Sequence, residues 1–302
     1  MSKTNDASRK YLDPEVVSKL RNMELRARLV VEGFVTGLHK SPYHGFSVEF
    51  AEHRQYMPGD PLKHIDWKVF GKTDRFYIKE YEEETNLKAY ILLDSSASMG
   101  YHAPKTVSKL EYGSYLAASL AYLLIKQQDA VGLLTFDNHV RQYIPPRSIR
   151  SHLHVLLVAL EQLQPSETTN ASVAFHELAE RIKRRGLIIV ISDFFDDPEQ
   201  VLLGLKHFRH KHHEVIVFHI LDHDEVEFPF QQEAIFRDME TGEEILTQPW
   251  TIRKEYREQI NAMKSMYQRE CREQAIDYIP LTTRTPFDFA LTAYLNKRIR
   301  LG

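Results

Sequence analysis

The stretch Lys88-Ala89-Tyr90-Ile91-Leu92-Leu93-Asp94-Ser95-Ser96-Ala97-Ser98-Met99-Gly100 decides the fold of this 302-residue chain. Its first half is a continuous apolar run, which is how a strand buried on both faces of a parallel sheet reads. Its second half sets one carboxylate, Asp94, and two alternate hydroxyls, Ser96 and Ser98, at the strand's C-terminal end. A helical period follows from Ser108 to Lys126, and the same alternation then repeats. Further strands are expected at Val131–Phe136, Leu187–Ser192, Glu214–Ile220 and Ala275–Leu281, with Val140–Ile144 as a hairpin partner on a sheet edge. Helices are expected at Ser148–Leu163, Ala171–Lys183, Pro198–His210, Ile252–Gln274 and Pro286–Ile299. Strands alternating with crossover helices predict an α/β domain on a doubly wound, mostly parallel sheet.

That domain is expected over residues 87–302, with a hairpin-like insertion near 222–249. There the alternation breaks into charged residues, Phe228, Phe230 and the turn Met239-Glu240-Thr241-Gly242-Glu243. Residues 1–86 are expected to form a smaller unit. Asp13 and Pro14 start an amphipathic helix from Pro14 to Val35. Between Gly33 and Asn86, short alternating pieces such as Ser47–Phe50 and Arg75–Lys79 suggest a small β-rich module.

Composition narrows the function classes. Lys plus Arg number 39 against 42 Asp plus Glu, so there is no global positive field to gather nucleic acid or anionic lipid. The single cysteine, Cys271, excludes an intrachain disulfide and a Cys-built zinc or iron–sulfur site, which fits a reducing compartment. The polar start, Met1 to Tyr11, lacks the apolar core of a secretory signal. The longest strongly apolar stretch, Tyr115 to Ile125, is well short of the roughly 18 to 20 residues that cross a bilayer. A cytoplasmic protein without direct membrane insertion is expected.

Chemistry concentrates at strand ends. Asp94, Ser96 and Ser98 stand where open α/β sheets bind ligands. A second strand runs into Asp193, and the loop Ser166-Glu167-Thr168-Thr169-Asn170 stands before a helix. Together these make five oxygen donors on three loops, hard ligands that suit Mg²⁺, Mn²⁺ or Ca²⁺ and not the soft sites of zinc or copper. No nucleophile elbow, Walker loop or dinucleotide-binding glycine turn is present in the sequence. Among the dense histidines His207, His210, His212, His213, His219 and His223, the first two read as a helix end and His212 and His213 as the turn before a strand rather than a zinc or copper site, and Lys183-Arg184-Arg185 reads as a solvated helix end.

The pattern Asp94-x-Ser96-x-Ser98, then a loop threonine, then strand-terminal Asp193 resembles the metal-ion-dependent adhesion site of von Willebrand factor A-type domains, a Rossmann-like fold. Such domains usually carry Gly-Gly-Thr where this chain has Ser166-Glu167-Thr168-Thr169, so either threonine is a possible donor; Thr169 is preferred for the register of the helix that follows. Upstream, Gly45-Phe46-Ser47-Val48-Glu49-Phe50 and Arg54-x-Tyr56-x-x-Gly59-Asp60-Pro61-x-Lys63-x-Ile65-Asp66-Trp67 resemble the bacterial family called "domain of unknown function 58". Phe236-Arg237-Asp238-x-Glu240-Thr241-Gly242 and Ile276-Asp277-Tyr278 resemble it as well.

The resemblance implies metal ligation by Asp94, Ser96, Ser98, Thr169 and Asp193, directly or through water. It implies an open position that a partner's Asp or Glu completes, and cooperation with a MoxR-type AAA+ ATPase. The expected function is therefore divalent-metal-dependent protein binding or assembly, not catalysis. The alternatives are a scaffold with a vestigial site and a metal-dependent hydrolase.

Overall fold

The computed structural model describes residues 10–38, 53–55, 71, 77–79, 87–104, 106–166 and 171–299. In chain order it contains α1 (Pro14–Ser18), α2 (Met23–Leu38), β1 (His53–Gln55), β2 (Tyr77–Lys79), β3 (Lys88–Asp94), α3 (Lys109–Lys126), β4 (Ala130–Phe136), β5 (Val140–Arg147) and α4 (Arg150–Glu161). There follow α5 (Ala171–Arg181), β6 (Leu187–Ser192), α6 (Pro198–His210), β7 (Glu214–Leu221), α7 (His223–Glu227), β8 (Ala234–Arg237), β9 (Glu244–Thr247), α8 (Pro249–Glu273), β10 (Asp277–Thr282) and α9 (Phe287–Ile299).

The six-stranded sheet runs β10-β7-β6-β3-β4-β5. Every pair in it is parallel except β4 with β5, so β5 is the antiparallel edge expected from the sequence. Numbered within the sheet, this is the doubly wound order 3-2-1-4-5-6, with the winding reversing between β3 and β6. Side chains alternate across the central strands as the pleat requires. Ala89, Ile91 and Leu93 face one core with α3, α4 and α9, while Tyr90 and Leu92 face the other with α5, α6 and α8.

One element differs from expectation. The helix expected over Pro14–Val35 is broken into α1 and α2. Asn22 caps the second helix by accepting from the Leu25 amide at 2.8 Å, and Arg26 donates to the Ser18 and Leu20 carbonyls at 3.0 and 2.9 Å. Polar caps therefore settle what apolar spacing alone left continuous. In addition, Met23, Ala27, Val30, Val31 and Phe34 of α2 join the same buried cluster as α3 and α4, so this helix covers the sheet domain. The insertion is α7 followed by the antiparallel pair β8–β9. The strand expected at Ser47–Phe50 and the stretch Tyr56–Trp67 lie outside the described residues; β1 and β2 pair antiparallel with each other.

Candidate functional site

The end of β3 and the end of β6 meet at the point where the winding reverses. Ser95 binds the β4 side: its amide and hydroxyl both donate to the Phe136 carbonyl, at 2.8 and 3.0 Å. Asp94 turns to the β6 side, where its Oδ2 accepts from the Ser192 hydroxyl at 2.5 Å and its Oδ1 from the Ser96 amide at 2.9 Å. Ser96 and Ser98 point their hydroxyls together, Oγ to Oγ 3.1 Å. Burial, then the charge of Asp193, push the Asp94 carboxyl up to about 7, against the opposing pull of its hydrogen bonds from Ser192 and Ser96.

Asp193 is 1% exposed and followed by Phe194 in a left-handed turn at φ 50°, a conformation an L side chain adopts only when its surroundings hold it. The Phe194 amide donates to the Ser192 hydroxyl at 3.0 Å, and its ring packs against Phe175, His219 and Tyr267. His219 Nε2–H donates to the Asp193 carbonyl at 2.8 Å, which leaves Nδ1 to accept from the Tyr278 hydroxyl at 2.5 Å. Burial holds His219 down at about 4, so the ring is neutral and braces the Asp193 backbone.

Sequence reasoning missed two members of this cluster. Lys109, the first residue of α3 and wholly buried, places Nζ 2.7 Å from Asp193 Oδ2 and 2.6 Å from Glu225 Oε1. The ammonium also lies 4.6 Å from the Phe195 ring centre. Burial pulls the Lys109 pKa down, but Asp193 and Glu225 more than reverse this and the net shift is upward, so the ammonium stays charged. Glu225 is drawn in by a capping box, its Oε2 accepting from the Asp222 amide at 2.6 Å; burial keeps its own carboxyl raised despite Lys109. The signal was available: Lys109 opens a helix directly after a Ser N-cap, where the positive dipole end disfavours a cation.

Of the expected donors, Asp94, Ser96, Ser98 and Asp193 converge here. Thr168 and Thr169 lie outside the described residues; Ser166, just before them, is pinned to the Ser95 carbonyl by its amide at 2.7 Å and its hydroxyl at 2.9 Å. Among the described residues no group of three His, Cys, Asp or Glu side chains is placed to hold a metal, so an ion here would rest on two carboxylates and hydroxyls. Those residues fit a hard divalent cation. The donors are all oxygen, and the Asp94–Asp193 repulsion that helps raise the Asp94 carboxyl is what such an ion relieves. His207 and His210 lie in the last turn of α6, as read from the sequence, and His207 pairs with His176 Nδ1 to Nδ1 at 3.0 Å; His219 is a buried hydrogen-bonding core residue. Cys271 is buried, and its thiol is pushed up to about 12.

A mostly parallel, doubly wound sheet carrying Asp and Ser donors at its switch point defines a protein of von Willebrand A-like fold. The chain belongs to the family described as "Protein of unknown function DUF58", which matches residues 52–266. The uncharacterized protein Rv1480 of Mycobacterium tuberculosis (strain ATCC 25618 / H37Rv) is 27% identical over 233 residues, 76% of this chain and 73% of that one. The crystal structure of the conserved hypothetical protein BatB from Bacteroides thetaiotaomicron is similar at a TM-score of 0.50 and 18% identity, covering 72% of this chain and 100% of that one. A von Willebrand factor type A structure from Catenulispora acidiphila is similar at a TM-score of 0.34 and 14% identity, covering 60% of this chain and 42% of that one. Among the described residues no helix is long and apolar enough to cross a membrane.

Proposed function

We propose that this protein is a divalent-metal-dependent protein-binding and assembly factor of the cytoplasm that works with a MoxR-type AAA+ ATPase. The observation that supports it most is the buried pair Asp94 and Asp193 at the sheet's switch point, with Ser96 and Ser98 hydroxyls 3.1 Å apart beside it. Asp94, Ser96, Ser98, Asp193 and a loop threonine, Thr169 by preference, would hold Mg²⁺, Mn²⁺ or Ca²⁺. The ion would supply an electrophilic oxygen-binding position for an Asp or Glu of the partner, because hydroxyl ligands are neutral. The partnership with the ATPase rests on family resemblance alone.

One observation favours a second reading. Lys109 already offers Asp193 a cation at 2.7 Å, which suits a scaffold whose site needs no metal. Calorimetric titration with Mg²⁺ and Mn²⁺ separates the two. The metal-dependent reading expects saturable binding by the wild type, its loss in Asp94→Ala and Ser98→Ala, and partners retained from lysate in Mg²⁺ but released by EDTA. A wild type that binds no ion and keeps its partners in EDTA establishes the scaffold.

A further inference from the structure

Next to the carboxylate and hydroxyl cluster, a cleft of about 510 Å³ opens between Ser98, Glu225 and the insertion, within the range of ligand pockets. Its floor is aromatic. Phe228 meets Tyr256, Phe230 and Phe236 at ring-centre distances of 4.3, 5.1 and 5.5 Å. The floor is fixed from below, because Arg253 donates to the Phe228 and Phe230 carbonyls at 3.0 and 2.6 Å. One wall is the β8–β9 hairpin, where Phe236 and Ile245 are directly paired and so share the face that lines the cleft. Ile245 is nevertheless 66% exposed and Met239 50%, leaving an open apolar wall. The rim is acidic: Asp224, Asp238, Glu240 and Glu243 line it, against a single cation, Arg237.

We infer that this cleft receives a segment of a partner protein in which an apolar, preferably aromatic, side chain is flanked by Lys or Arg. This rests on the protein-binding reading above and names the chemistry of the partner. An aromatic floor gives an apolar anchor offset-stacked or edge-on ring contacts. Cationic neighbours meet the rim carboxylates and the ring faces, whereas acidic neighbours and phosphates are repelled. Because Ser98 and Glu225 belong to both the cleft and the cluster, a segment seated here runs directly into the site proposed to take a partner's carboxylate.

The test uses the full chain with ¹³C-labelled Met and Ile methyl groups and four acetylated, amidated peptides: Arg-Phe-Arg, Glu-Phe-Glu, Arg-Gly-Arg and Arg-Phe-Arg-Gly-Asp. Arg-Phe-Arg is expected to shift the Met239 and Ile245 methyl signals saturably in EDTA. Glu-Phe-Glu and Arg-Gly-Arg should bind roughly tenfold more weakly, and Glu243→Arg, an exposed change, should weaken Arg-Phe-Arg about fivefold. Equal shifts from Glu-Phe-Glu, or no saturable shift from Arg-Phe-Arg at millimolar peptide, overturn the proposal. The Asp-containing peptide should gain affinity only in Mg²⁺. If it gains nothing while Arg-Phe-Arg still binds, the metal-dependent reading fails and the cleft stands; the converse result spares the metal and removes the cleft.

Discussion

Lys109 shows how one side chain binds the site together. An ammonium at the first turn of α3 faces the unfavourable end of the helix dipole and is wholly desolvated, so only Asp193 and Glu225 keep it there. Lys109→Met should therefore cost about 3 to 5 kcal/mol in urea unfolding, since it strands two buried carboxylates. Glu225→Gln alone should cost less, and the double variant should lose less than the sum of the two, because each change removes the other's partner. Additive losses would mean the two residues act separately. Asp94 carries a different prediction. Its carboxyl titrates near 7 in the folded chain against about 3.9 unfolded, so the folded form binds the extra proton between those values. In EDTA, the stability this contributes is full below about pH 4 and fades as pH rises through 7. Unfolding at pH 5 and pH 8 should thus show the wild type weaker at pH 8, with Mg²⁺ restoring it and Asp94→Asn insensitive to both. A wild type that Mg²⁺ leaves unmoved at pH 8 removes the ion from the site.

Elements pack where small residues let them. In α6, a Cβ on Gly204 would lie 2.8 Å from Phe175 Cβ in α5, closer than real side chains come. Gly204→Ala should cost about 1 to 3 kcal/mol through overpacking and push α5 away from α6. A thermal shift indistinguishable from wild type would show that the pair slides freely. Elements of this kind were legible in the sequence because their signal is local. The apolar runs became β3, β4, β6, β7 and β10, and Ser108 and Asp197 cap α3 and α6 as their positions imply. The break between α1 and α2 was not legible, because the apolar spacing runs through it and the Arg26 contacts that close it span six and eight residues. The site divides likewise: Asp94, Ser96, Ser98 and Asp193 follow strand ends that periodicity locates. Glu225, however, reaches Lys109 across 116 residues, and no pattern in a charged insertion marks that reach.

At the scale of the whole molecule, two segments outside the regular alternation carry opposite weight. Helix α2 buries Met23, Ala27, Val30, Val31 and Phe34 against the face of the sheet domain covered by α3 and α4. At about 1.5 to 3 kcal/mol for each of the large side chains, their removal approaches the 5 to 15 kcal/mol that holds an ordinary domain together. The hairpin β8–β9 leaves Ile235, Ile245 and Leu246 between 63% and 71% exposed, so little of the fold rests on it. Deleting residues 1–38 should therefore abolish the cooperative melt and expose apolar surface to a hydrophobic dye, in the manner of a loosened core. Replacing residues 232–247 with a short Gly-Ser linker should instead keep the melt within about 1 kcal/mol of wild type while removing the wall of the cleft. Differential scanning calorimetry of the two truncations reads both outcomes. A 39–302 fragment that melts cooperatively near the wild-type temperature would make α2 an accessory rather than a wall of the core. A hairpin deletion that collapses would make the insertion structural, and the acidic, aromatic cleft a by-product of its packing.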